Sequence, residues 1–158
     1  MVLYTVSESL LDSYGRVFQM YENAIKNIPE NQWTEGKHHN LVPVVILLHS
    51  IEAADFYSSE TSEFDWGHRF GVSWSESDPV EFPSKNDLMN YFKEVEHKTT
   101  EWINSSSDYV FLSEDPFPYN TGRGMLGRAL YLLSHLRQHI GELNAELRQR
   151  NLPRVKWV

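Results

Sequence analysis

The sequence predicts an all-α fold, a four-helix bundle. Three observations carry this: four segments repeat apolar residues at a spacing near 3.6, capping residues or prolines bracket them, and no segment reads convincingly as a strand. Amphipathic helices of this kind bury their apolar faces against one another.

The first helix follows from Val6, Leu10, Tyr14, Val17, Tyr21, Ala24 and Ile28 at helical spacing. Thr5 and Glu8 form the pattern of a capping box before it, and Pro29 stands just past its end. The second runs from about Leu41 to Tyr57, with Asn40 as the expected N-cap and Pro43 tolerated in the first turn, where its missing N–H is not needed. Its stripe is Val42, Val45, Ile46, His49, Ala53 and Phe56. The third begins at Ser84, with Asp87 three residues on, and continues through Leu88, Tyr91, Phe92, Val95, Thr99, Trp102 and Ile103. The fourth starts near Met125 and carries Leu126, Leu130, Leu133, Leu136, Ile140, Leu143 and Leu147 until Asn151 and Pro153 stop it.

Ser58 to Pro83 is longer than a tight helical hairpin needs, so helices two and three are expected to run parallel through a crossover, giving an up-down-down-up order. Asn104 to Gly124, polar and Pro-containing, reads as a lid or rim. Residues 1–158 read as one domain, long enough to bury a core without staples.

Composition narrows the chemistry. The net charge of -8 argues against a partner presenting a phosphate backbone, so nucleic acid is not expected. With no cysteine, thiolate nucleophiles, disulfides and Cys-ligated zinc are excluded, leaving His, carboxylates and hydroxyls. No window reaches the ~18 apolar residues of a membrane span and the N-terminus has no basic and apolar leader, so a cytoplasmic location is expected.

The motif that stands out is His135 and His139 in YLLSHLRQHIGELNAELRQRN. Residues four apart lie one turn above each other, so both imidazoles can reach one metal ion. H-x3-H alone arises often by chance in helices, and His49 alone, among Val45, Ile46 and Ala53, reads first as a hydrogen-bonded core histidine. Their coincidence favours a three-histidine site. Leu136 follows the first histidine where a zincin would place its glutamate, and the helices do not offer the two E-x-x-H motifs of a di-iron bundle, Glu94–His97 being the single helical match, so one metal is expected. Glu52 and Glu142, one turn beyond His49 and His139, read either as orienting groups or general bases, or as ordinary solvated or salt-bridged carboxylates. His38, His39, His68 and His97 have no ligand spacing; Trp33, Trp66, Trp74 and Tyr119 read as core or rim packing, with loop aromatics able to line a pocket.

These residues resemble the DinB/YfiT-like superfamily of metal-dependent enzymes along nearly the whole chain. The resemblance rests on NQWTEGKHHNLVPVVILLHSIEAADFY, on FPSKNDLMNYFKEVEHKTTEWI and on LYLLSHLRQHIGELNAELRQRNLP, with a Gly two residues after the second histidine. It implies a bundle in which His49, His135 and His139 bind one divalent ion, Zn, Ni or Fe. It also implies a small-molecule substrate, use of a low-molecular-weight thiol such as bacillithiol or mycothiol in some relatives, and pairing into homodimers. Glu142 departs from the Gln frequent in relatives, and Ile140 from the Arg.

The functional expectation is a thiol-dependent transferase or a hydrolase, in which open positions on the metal hold water or a substrate thiolate and lower its pKa. The alternative is a non-catalytic metal- or ligand-binding bundle acting in stress response. A metal-free interaction protein would follow if His49 faced away from the other two.

Overall fold

The computed structural model describes residues 3–119 and 121–158. Among them the protein is all-helical: α1 (Val6–Asn27), α2 (Pro43–Tyr57), α3 (Lys85–Asn104), the short α4 (Asp108–Leu112) and α5 (Gly124–Gln149), with 3-10 turns in the connections. No described helix is long and apolar enough to cross a membrane.

Helix α1 starts as its sequence dictates. Thr5 Oγ1 accepts from the Glu8 backbone N–H and Glu8 Oε2 accepts from the Thr5 N–H, satisfying donors that the first turn leaves free. Ser84 caps α3 by accepting the Asp87 N–H, while its own hydroxyl donates to the Asp87 carboxylate. The expected cap of α2 is corrected: Asn40 lies in a 3-10 turn over His39–Leu41, and Val42 occupies the N-cap position. Pro43 is the reason, because its fixed φ and absent N–H suit the first helical position, which leaves the preceding residue extended. The 104–124 segment, expected as a polar lid or rim, contains α4, capped by Ser107 and joined to the start of α1 by the Val6 N–H to Asp108 carboxylate bond of 2.8 Å.

Helix α2 is buried on nearly every side, and its sequence is accordingly apolar all round, PVVILLHSIEAADFY. It packs against α3 and α5, and α1 packs against the same two helices. Buried tyrosines fix the registers. Tyr14 donates to the Ala129 carbonyl at 2.7 Å and Tyr21 to the Leu136 carbonyl at 3.0 Å, so the register advances in step along α1 and α5. Burial pushes both phenols far above their usual range and keeps them neutral donors. Along α1 and α3 the register runs oppositely: Lys93 meets Glu22, whereas Lys85 reaches the carbonyls of Lys26 and Ile28. It also runs oppositely along α2 and α5, where Tyr57 packs on Tyr131 and His49 on His139.

Candidate metal centre

The pairing of α2 with α5 decides which histidines meet. His49 is the one imidazole in the apolar run of α2, and His135 and His139 stand one turn apart on the α5 face that packs against it. The His135 and His139 ring centres are 4.4 Å apart, and His49 lies 5.3 Å from the first and 5.0 Å from the second. One ring nitrogen from each lies within 4.8 Å of the other two. Nitrogens sharing one four-coordinate ion sit about 3.3–3.5 Å apart, so side-chain rotations of up to about an ångström would close this cluster onto a metal.

The chemistry of the donors fits a cation. Nδ1 of His49 and Nε2 of both His135 and His139 are buried with no hydrogen-bond partner. Three orphaned nitrogens on imidazoles that cluster between two helices are costly unless something accepts their lone pairs. Protons do so poorly here. Burial, reinforced by the neighbouring His139 charge, lowers the pKa of His49 and of His135 to about 4, so both rings are neutral at pH 7, the form a metal requires.

Glu142 sets the tautomer of His139. Its Oε2 lies 2.7 Å from Nδ1 and its Oε1 accepts from Gln138. Burial opposes the charge on Glu142, but these two hydrogen bonds, together with the nearby His139 and His135 charges, outweigh it and hold the carboxyl below its usual range. An ionised carboxylate only accepts, so Nδ1 carries the proton and Nε2 keeps its lone pair. This carboxylate–imidazole pairing orients and strengthens a metal-ligating histidine. A cavity of about 260 Å³ opens beside His49, His139 and Glu142, with Val45, Ile46 and Trp74 as apolar walls. A few convergent polar groups in an apolar cleft are the usual makings of a small-molecule site.

Glu52 is directed elsewhere. It is 1% exposed, and Oε1 accepts the Gly67 N–H at 2.7 Å while Oε2 has no partner. Burial pushes this carboxyl up to about 7, against the Gly67 bond and with help from Asp55 and Asp65. Its contact is thus with the crossover segment. Gly67 has φ +78°, and a Cβ there would lie 1.6 Å from the Val72 carbonyl oxygen, so the chain turns back on itself at a point only glycine can occupy. Trp66 and Trp74 flank that turn, and the Trp74 ring packs 4.7 Å from His49. His39 fastens the far side through Nε2 and the Trp74 carbonyl, 2.9 Å apart. Gly67→Ala is expected to cost about 2–4 kcal/mol, from left-handed backbone strain plus the clash, and to raise acrylamide quenching of tryptophan emission. Urea unfolding with an unchanged midpoint would contradict this account of the turn.

His38, His68 and His97 are exposed and remain outside the cluster. Trp33 is a core residue that donates to the Pro83 carbonyl at 3.0 Å. Sequence reading missed Tyr131, which stacks on His135 at 6.2 Å, and Gly67; the glycine in DWGHRFG was the available signal for the turn. Comparison with protein-family models, curated proteins and solved structures found no match to this chain.

Proposed function

We propose that the protein is a metal-dependent enzyme of the DinB/YfiT-like kind, with His49, His135 and His139 holding one divalent ion in an up-down-down-up bundle. One observation carries the reading: three imidazoles cluster between α2 and α5, each with a buried ring nitrogen that has no partner. The in-step register of α1 with α5, and the opposed registers of the other two pairs, support the topology.

A divalent ion in this place supplies a Lewis acid that lowers the pKa of water or of a low-molecular-weight thiol. The chain supplies the rest. Glu142 keeps the His139 proton on Nδ1, while Trp74, Val45 and Ile46 narrow the approach and exclude bulk water. Without cysteine, the chain offers no thiolate of its own, which assigns the nucleophile to water or a diffusible thiol. The reaction is therefore transfer of a thiol to an electrophilic small molecule, or hydrolysis.

The test is a pair of screens on the metal-loaded protein: electrophiles with low-molecular-weight thiols, and esters and amides in water. Turnover in one screen is expected, abolished by chelation, restored by metal, and absent in folded His49→Ala. Turnover that persists after complete metal removal would sink the mechanism. Metal uptake with silence in both screens would leave a binding bundle rather than an enzyme.

A further inference from the structure

Beside the histidine cluster lies a strip of aromatic rings that the metal reading does not use. Its contacts form a closed circuit. His135 stacks on Tyr131 at 6.2 Å, Tyr131 packs on Tyr57 at 5.1 Å, and Tyr57 on Phe56 at 4.9 Å. Phe56 then meets Trp66 at 5.3 Å, and Trp66 returns to His49 at 6.4 Å. Phe56 is buried and forms the floor, whereas Trp66 is 38% and Tyr131 41% exposed at the two ends of the path. Tyr119, 53% exposed, extends the floor through its contact with Phe56 at 5.3 Å. Large rings left in water in one contiguous group, adjoining a reactive centre, are a binding feature rather than scattered surface residues.

We propose that this strip is an aryl subsite, taking a planar aromatic group without an anionic substituent from a substrate whose reacting atom sits at the histidine cluster. The proposal rests on the metal-centre reading for the position of the reacting atom. Ring faces and edges at about 5–6 Å from one another prefer a further flat ring offset or edge-on. Charge selects against anions: residues 56–66 and 115–119 hold Glu60, Glu63, Asp65 and Asp115 but no Lys or Arg. Arg128 is buried against Phe117 at 4.4 Å and paired with Asp115 at 2.8 Å, so it offers nothing to a ligand carboxylate, and Arg123 shares a surface pocket with Phe117 and Tyr119 rather than with Trp66 or Tyr131. The strip's distance from the histidines, one ring contact at each end, matches a substrate whose aromatic group is attached within a bond or two of the reacting atom.

Hydroxamates test this because the chelating group is constant and the substituent is free. On cobalt(II)-loaded protein, benzohydroxamate is expected to bind about 10-fold tighter than acetohydroxamate, the scale of two aromatic contacts. Trp66→Ala and Tyr131→Ala should each cut that gain to about 3-fold and leave acetohydroxamate unchanged; Trp66→Phe and Tyr131→Phe should keep most of it. A para-carboxylate on benzohydroxamate should abolish it. A second arm uses metal-free protein and 2-naphthol, read by saturation transfer in the naphthol proton spectrum: transfer is expected from wild type and not from the Trp66→Ala/Tyr131→Ala double variant. Equal affinity for the two hydroxamates, or a gain that survives both alanine variants, overturns the proposal. If the chain takes up no cobalt, the metal reading fails in the first arm, and the naphthol arm decides the subsite alone.

Discussion

Metal-free protein titrated with Zn2+ or Ni2+ is expected to take up about one equivalent per chain, and His49→Ala, His135→Ala or His139→Ala to weaken that uptake by at least about 100-fold. The expectation follows from the partnerless nitrogens: each variant removes a donor whose lone pair has no other use in the fold. Glu142→Ala should be milder, about 10- to 100-fold, because it removes the acceptor that orients His139 and leaves all three ligand rings in place. Saturation also stabilises the native state. At about 1,000 times the dissociation constant the gain is about 4 kcal/mol, which for a chain of this size raises the melting temperature by roughly 8–16 °C. Calorimetry with and without the ion reads both quantities on one sample. If the three alanine variants stay folded and keep wild-type uptake and the wild-type thermal shift, the cluster is not the site.

What could be read from the sequence is what depends on local spacing. The long helices announce themselves because each repeats apolar residues over several turns, and Thr5, Ser84 and Pro43 act through neighbours three or four residues away at most. Helix α4 has only Asp108–Leu112, too few residues to establish a rhythm, and its one local signal was Ser107 before Asp108. His135 and His139 are legible as a pair from helical geometry alone. That His49 joins them depends on α2 packing antiparallel to α5, which no spacing encodes. Glu52 shows the same limit more sharply: its partner is a backbone N–H fifteen residues on, at a turn made possible by Gly67, so its side chain reads as a free carboxylate until the crossover is in place. The aromatic circuit draws on α2, the crossover and α5, and its members look like unrelated core or rim residues one at a time.

Two opposed titrations should shape the acid stability of the metal-free protein, and separating them gives the second large effect. His49 and His135 have folded-state pKa values lowered from 6.5 to about 4, so the unfolded chain binds more protons between those values. Their contribution is present above pH 6.5 and lost as pH falls toward 4. At about 1.36 kcal/mol per unit, and halved because both rings are partly exposed, the pair accounts for about 3 kcal/mol. Glu52 runs the other way. Its carboxyl is raised from 4.5 to about 7, so the folded state binds the extra proton, and its contribution is present below pH 4.5 and lost as pH rises through 7. Glu52→Gln removes this second titration while its amide oxygen can still accept the Gly67 N–H. The variant is therefore expected to exceed wild type by about 1–3 kcal/mol at pH 8, where wild type carries a buried charge, and to match it near pH 4.5. Urea unfolding across pH 4.5–8 reads the difference directly. Because Glu52 no longer offsets the histidines, the variant should also lose stability more steeply on acidification than wild type. A Glu52→Gln protein less stable than wild type at pH 8 would mean that the carboxylate is satisfied in the fold by more than the Gly67 N–H.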